Sequence, residues 1–235
     1  MTVADFAGLI QPGEFGFECD DAKRAAFDRM NSCILAERTP VDLCFIGDSI
    51  TESFELNAYF YRFGLCVNRG IGGDRVHYLR RRLNADLLQL RPRVGILSVG
   101  INDTATLLDA HRGETRLPEE ERSNFLSEMR EEYRGICEQC RNAGQHMVLC
   151  SVMPVGVDDF RNDLVRGMNK LIFGLCEEYG FGYADYYGAV ADERGLLREV
   201  TFGDLLHPHA VGYRAMADTL IPVLENAFQT PYQRT

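Results

Sequence analysis

The stretch Val41-Asp42-Leu43-Cys44-Phe45-Ile46-Gly47-Asp48-Ser49-Ile50-Thr51 decides the fold. Its apolar run reads as a buried strand that stops at Gly47, and the following residues predict a helix over roughly 50–61. Asp48 and Ser49 therefore stand where a strand turns into a helix. In an open parallel sheet the carboxyl ends of the strands are where ligands bind. A serine presented there turns its hydroxyl to solvent beside a helix N-terminus, which favours developing negative charge. Helix capping by Asp48 or Ser49 accounts for this stretch equally well. The rest of the chain has to decide between a cap and a nucleophile.

Upstream, residues 1–20 read as irregular and rich in Gly and Phe, and 21–37 as a helix capped by Asp20 or Asp21. Its inward stripe is expected at Ala22, Ala26, Met30 and Cys33, three or four residues apart. Downstream, a short strand at 65–68 enters Arg69-Gly70-Ile71-Gly72-Gly73-Asp74, and a helix follows over 74–90. A third strand at 94–99 runs into Gly100-Ile101-Asn102-Asp103, and 104–117 reads as a long loop. Pro118 suits the first position of a long helix, with Glu119, Glu120 and Glu121 matching its dipole. Phe125, Met129, Tyr133, Ile136 and Cys140 form the apolar stripe of that helix, and Gly144 ends it. A strand at 146–152, a helix at 161–179, a short strand at 181–183 and a small helical piece carry the chain to His207-Pro208. The last helix is expected from Ala210, with Tyr213, Ala217, Leu220 and Leu224 facing inward.

Strands alternating with helices predict an α/β domain whose parallel sheet of about five strands is covered on both faces. Right-handed crossovers follow. There are too few strand–helix units for an eight-fold barrel. One domain over 1–235 is expected, with an N-terminal irregular segment and helix over 1–40 and a loose tail at 230–235.

At 235 residues and 46% hydrophobic, the chain can bury a substantial core. A net charge of −10 disfavours nucleic acid and anionic membrane surfaces as partners. No apolar run spans a bilayer and no export signal opens the chain, so no membrane insertion and a cytoplasmic location are expected. Cys44, Cys66 and Cys150 lie in strand-like apolar runs, where cysteine acts as a small hydrophobe. Cys137 and Cys140 form a C-x-x-C inside a predicted helix, without a second pair at zinc spacing. Arg80-Arg81-Arg82, the one basic run, reads as a solvated helix face. His209 lies close to His207 but has no further ligands around it in sequence, and is expected exposed at a helix start. Gly70-Ile71-Gly72-Gly73-Asp74-Arg75 fails the dinucleotide pattern because Arg75 stands where its last Gly belongs. Neither a metal nor a cofactor is expected.

Three successive strands end in Asp48-Ser49, Gly72-Gly73-Asp74 and Asn102-Asp103, all on one edge of the sheet. Asp204-Leu205-Leu206-His207 lies on a loop before the last helix, and its spacing lets the carboxylate reach its own His ring. A Gly backbone N–H and an Asn amide are then available to hold an oxyanion. These blocks resemble the GDSL esterases and lipases, specifically the SGNH hydrolases. Gly47-Asp48-Ser49-Ile50-Thr51 is similar to the family's opening block. Asn68-Arg69-Gly70-Ile71-Gly72-Gly73-Asp74, Gly100-Ile101-Asn102-Asp103 and Asp204-Leu205-Leu206-His207-Pro208 match the other three, in family order.

The resemblance implies a three-layer α/β/α flavodoxin-like fold with strand order 2-1-3-4-5, no metal, and ester hydrolysis through an acyl-enzyme. It implies Ser49 as nucleophile, His207 as base and Asp204 as the residue that orients it. The Ser49 N–H, Gly73 and Asn102 would form the oxyanion hole, with Gly73 preferred over Gly72 because the family's donor glycine directly precedes the Asp. Thr51 occupies the second Gly position of the G-x-S-x-G elbow, which excludes the α/β-hydrolases. The expected substrate is a small-molecule or carbohydrate O-acyl ester, with acetyl favoured. A lysophospholipase, a thioesterase or a non-catalytic binding module on the same fold are the alternatives. The loops at 103–117 and 153–163 are expected to set specificity.

Overall fold

The computed structural model describes residues 21–198 and 204–229. The expected irregular start, the Asp20 cap and the tail after 229 lie outside them. Five strands form one parallel sheet in the order β2-β1-β3-β4-β5. They are β1 (Leu43–Gly47), β2 (Cys66–Gly70), β3 (Val94–Ser98), β4 (Met147–Cys150) and β5 (Gly182–Ala184). Every residue of β1 and β4 is buried, as continuous apolar strands in a doubly covered sheet should be. This is the three-layer α/β/α arrangement that the sequence predicts.

The helices are α1 (Asp21–Ala36), α2 (Ser49–Glu52), α3 (Leu56–Phe60), α4 (Val76–Asp86), α5 (Ile101–Ala105), α6 (Glu119–Asn142), α7 (Phe160–Tyr179), α8 (Tyr186–Val190) and α9 (Ala210–Gln229). In one layer α1 packs on α4, α4 on α6 and α6 on α7; in the other α9 packs on α3, α8 and β5. The stripes expected on α6 and α9 are buried, so the helical period read those faces correctly.

Three expectations need correction. The helix over 50–61 is broken into α2 and α3, because the Asn68 amide of β2 takes the carbonyls of Thr51 at 2.8 Å and Phe54 at 3.2 Å that a continuing helix would need. Pro118 precedes α6 as its cap residue, its carbonyl accepting from the Arg122 N–H at 3.0 Å. On α1 the face is inverted. Ala22, Met30 and Cys33 are exposed, while Arg24, Phe27 and Asn31 are buried. Hydrophobic periodicity fails there because the buried face is partly ionic: Arg24 meets Asp28 and Asp86, and the Asn31 side-chain Oδ1 receives Arg69.

The sheet register sets the stage for the site. Gly47 lies opposite Gly70 on one side and Ser98 on the other. The chain beyond each of these three positions carries one of the sequence-flagged blocks. Edge to edge, β2, β1 and β3 therefore deliver them side by side.

Candidate active site

β1 leads into an Asp48 of extended backbone (φ −91°, ψ −154°), whose carboxylate accepts the Ile50 N–H at 3.0 Å. Asp48 is thus the cap. Ser49 follows as the first residue of α2, where a backbone N–H has no partner inside the helix. The capping role of the opening stretch falls to Asp48, which leaves the neighbouring Ser49 hydroxyl out of it.

The turn is packed too tightly for side chains at its glycines. A Cβ on Gly47 would stand 2.1 Å from the Ser98 carbonyl and 2.2 Å from Thr51 Oγ1. On Gly70 it would stand 2.1 Å from the Glu52 nitrogen. Those contacts are impossible, so glycine lets the ends of β1 and β2 close around the serine. Asn68 Oδ1 accepts from the Gly70 N–H at 2.8 Å while its amide holds α2, which ties the same two ends again. From the far side the Tyr213 hydroxyl of α9 donates to the Ile50 carbonyl at 2.9 Å, and its ring lies 4.7 Å from that of Phe54.

α9 also positions the turn before it. His207 Nε2 is 2.9 Å from Ser49 Oγ, and His207 Nδ1 is 2.8 Å from Asp204 Oδ2. The other carboxylate oxygen, Oδ1, accepts the backbone N–H of His207 at 2.7 Å and of Leu206 at 3.2 Å. The His207 N–H, followed by the His207 ring, holds the Asp204 carboxyl down at about 2, so it stays an anion. Closing this tight turn puts Leu205 at φ 70°, a left-handed conformation costing about 1 kcal/mol for a residue with a Cβ. The Leu205 carbonyl is in turn held by the Gly156 N–H at 2.8 Å, which joins the 153–163 loop to the Asp204–His207 turn. His209 is exposed just before α9 and accepts the Val211 N–H at 3.3 Å.

The structure distinguishes the two glycines of the second block. The Gly72 N–H donates to Glu52 Oε2 at 2.6 Å, and Lys23 pairs with the other oxygen of Glu52 at 2.5 Å. Gly73, at φ 77°, is exposed and its N–H has no acceptor among the described residues. The loop lies over the serine: a Cβ on Gly72 would be 3.9 Å from Ser49 Cβ. Asn102, half-buried on α5, donates one amide hydrogen to the Asp74 carbonyl at 3.0 Å and keeps a second.

Asp103 has a different position from its neighbour. It is buried, and both carboxylate oxygens lie near the Val76 N–H, at 3.2 and 3.3 Å, so it caps α4 from another helix. Burial pushes both Asp48 and Asp103 up to about 7. Buried Cys137 and Cys140 are pushed up to about 12, again by burial, which leaves their thiols protonated and inert.

Arg82 was not recognisable as part of this region. It belongs to the basic run expected on a solvated face, yet it is fully buried beneath the strand ends, with Asp74 and Asp86 as ion partners. The available signal was its spacing, four residues before Asp86 and eight after Asp74. Cavity size was no guide either. A groove of about 640 Å³ between α6 and α7, bordered by Arg122, Leu126, Lys170 and Leu175, contains none of Ser49, Gly73, Asn102, Asp204 and His207.

Fold and strand-end geometry define a three-layer α/β protein with a serine, a histidine and an aspartate in hydrogen-bonded series. Residues 45–215 match the GDSL-like Lipase/Acylhydrolase family. The chain belongs to that family and is a carboxylic ester hydrolase. No curated protein matches it. Among solved structures, a protein of Streptococcus pneumonia assigned provisionally as a platelet activating factor superposes with a TM-score of 0.71 at 21% identity, covering 87% of this chain and 92% of that one. A GDSL-like lipase of Bacteroides thetaiotaomicron gives 0.68 at 21% identity, with 86% and 98% covered. An acetylxylan esterase of Geobacillus stearothermophilus gives 0.61 at 20% identity, with 78% and 94% covered. These likenesses are of the fold. Among the described residues no helix is long and apolar enough to cross a membrane.

Proposed function

We propose that this chain hydrolyses small O-acyl esters, acetyl foremost, borne on a carbohydrate, through an acyl-enzyme on Ser49. The observation that carries the reading is the continuous series Ser49 Oγ, His207 Nε2, His207 Nδ1 and Asp204 Oδ2, with links of 2.9 and 2.8 Å. Asp204 fixes the ring with its proton on Nδ1, which leaves Nε2 to accept the serine proton. Ser49 Oγ adds to the ester carbonyl, and the C=O electrons move onto oxygen. The Ser49 N–H, the Gly73 N–H and the second Asn102 hydrogen receive that oxyanion. His207 then gives its proton to the leaving alcohol as the C–O bond breaks. Water, deprotonated by the same ring, releases the acid and restores Ser49.

A small acyl group on a bulky alcohol fits the openness of the site. His207 and Asp204 are 37% and 58% exposed, so the leaving-group side meets solvent rather than a wall. Likeness in fold to a protein described as an acetylxylan esterase supports the same direction. The non-catalytic alternative is disfavoured because Ser49, Asn102 and His207 are all present.

A series of p-nitrophenyl esters from acetate to palmitate, run beside acetylated sugars, tests the proposal. Turnover should fall steeply between the two-carbon and eight-carbon acyl chains, and acetylated sugars should release acetate. Rising activity toward long chains would move the assignment to a lysophospholipase. Turnover confined to acyl thioesters would make it a thioesterase.

A further inference from the structure

We propose that Arg82 is the positioning residue that sets the oxyanion hole. This rests on the reading of Ser49, Gly73 and Asn102 given above. The guanidinium is completely buried on α4, out of reach of substrate. Its four partners lie at the strand ends or on its own helix. Nη2 donates to the Gly47 carbonyl at 2.9 Å, and Nη1 to the Arg69 carbonyl at 2.9 Å and to Asp86 Oδ2 at 2.9 Å. Nε donates to Asp74 Oδ2 at 2.7 Å, with Nη2 at 2.6 Å from the same oxygen.

Three of these contacts, to Gly47, Arg69 and Asp74, lead to the oxyanion donors. The Gly47 carbonyl is two residues before the Ser49 N–H, and it also accepts from the Ile71 N–H at 3.0 Å, which locks the second block to β1. The Arg69 carbonyl and the Asp74 carboxylate bracket the loop that carries Gly73, so holding both ends holds that loop. The Asp74 carbonyl is the acceptor that holds the Asn102 amide. One rigid planar fork thus connects all three donors, and a second ion pair, Arg24 Nη1 to Asp86 Oδ1 at 2.6 Å, anchors it from α1. Burial opposes the charge on Arg82, but Asp74 and Asp86 outweigh it and hold the guanidinium protonated. A buried ion cluster is weak evidence for stability, since apolar packing serves as well. Its value here is directional: it aims backbone groups that apolar packing could not aim.

A lysine at this position keeps the charge but offers three donors on one nitrogen, so it cannot span Gly47, Arg69 and Asp74 together. Arg82→Lys should lower kcat about ten- to a hundred-fold with KM within about twofold, because the misplaced donors matter only in the transition state. Asp74→Asn, which keeps shape and backbone carbonyl, should lower kcat in the same sense by less. In an Asn102→Ala background, Arg82→Lys should cost less than it does alone, because the hole is already broken. A merely structural arginine would reduce the folded fraction and multiply with Asn102→Ala. The experiment measures kcat and KM per folded molecule for these variants, with circular dichroism to count folded protein and Ser49→Ala as control. A folded Arg82→Lys with wild-type kcat, or with the loss in KM alone, overturns the inference. If Arg82→Lys does not fold, Asp74→Asn decides by the same criterion. An inactive Ser49→Ala beside a normal Arg82→Lys would reject the role of Arg82 alone; an active Ser49→Ala would reject the site and this inference with it.

Discussion

The part of the site that would hold charge and the part that would move the proton are constructed in opposite ways. Ser49, Gly73 and Asn102 sit at the ends of three adjacent strands, above a buried arginine whose carboxylate partners are themselves buried. Asp204 and His207 share one short exposed turn, kept in shape by the Asp204 carboxylate and by a strained Leu205. The first part draws its precision from packing and long-range hydrogen bonds, so a change far from the serine can disturb it. The second draws its precision mainly from contacts within four residues, with one long-range tie from the Gly156 N–H to the Leu205 carbonyl.

That contrast is broken most directly by removing the proposed base. His207→Ala should lower kcat by about 10⁴–10⁶-fold while the protein stays folded, because the side chain is partly exposed and carries no core contact. Asp204→Ala should cost less, at most about 10⁴-fold, because Asp204 acts only through His207. Equal losses in the two variants, compared by single-turnover rates, would mean that the turn collapses without its carboxylate.

Asn102→Ala comes next, with a loss of about 10²–10³-fold in kcat and KM little changed, since the charge it would hold exists only in the transition state. A rise in KM alone would make Asn102 a ground-state contact instead.

The smallest effect separates the two parts by pH rather than by rate. Asp48 and Asp103, at the strand ends, are raised by burial from 3.8 to about 7. The folded protein therefore binds their protons more tightly than the unfolded chain. Their stabilising contribution is complete below the unfolded value and is lost as pH rises through about 7. Asp204, in the exposed turn, is lowered to about 2 and has the opposite sign: its small contribution is present above the unfolded value and is lost as pH falls through about 2. Urea unfolding at pH 5 and pH 8 should show wild-type stability falling with pH, and Asp48→Asn should fall less. An unchanged slope in Asp48→Asn would mean that Asp48 is already ionised at pH 5.

The same contrast explains what could be read from the chain. The apolar faces of α6 and α9 were legible because the helical period carries that information, whereas the strand order came from the resemblance that the four blocks carry. The Asp204-to-His207 contact was legible from local spacing, being only three residues apart. Arg82, Asp86, Arg24 and Asn31 were not. Their burial depends on partners far along the chain, Arg24 on Asp86 and Asn31 on Ala85, and charged residues on a helix look the same in sequence whether they face water or a buried carboxylate. The break between α2 and α3 was hidden too, because it is imposed by Asn68 on another strand. The preference for Gly73 over Gly72 came from the resemblance alone, whereas Glu52 supplies a physical reason by occupying the other N–H.

The most direct test of the central claim is to trap the nucleophile. Wild-type protein treated with a small activated phosphonate ester, digested and mapped by mass spectrometry, should carry one adduct, on Ser49, formed in step with the loss of esterase activity. Ser49→Ala should take up no label and turn over no ester, with an unchanged circular dichroism spectrum. Label on another residue, or ester turnover by pure Ser49→Ala, would contradict the account.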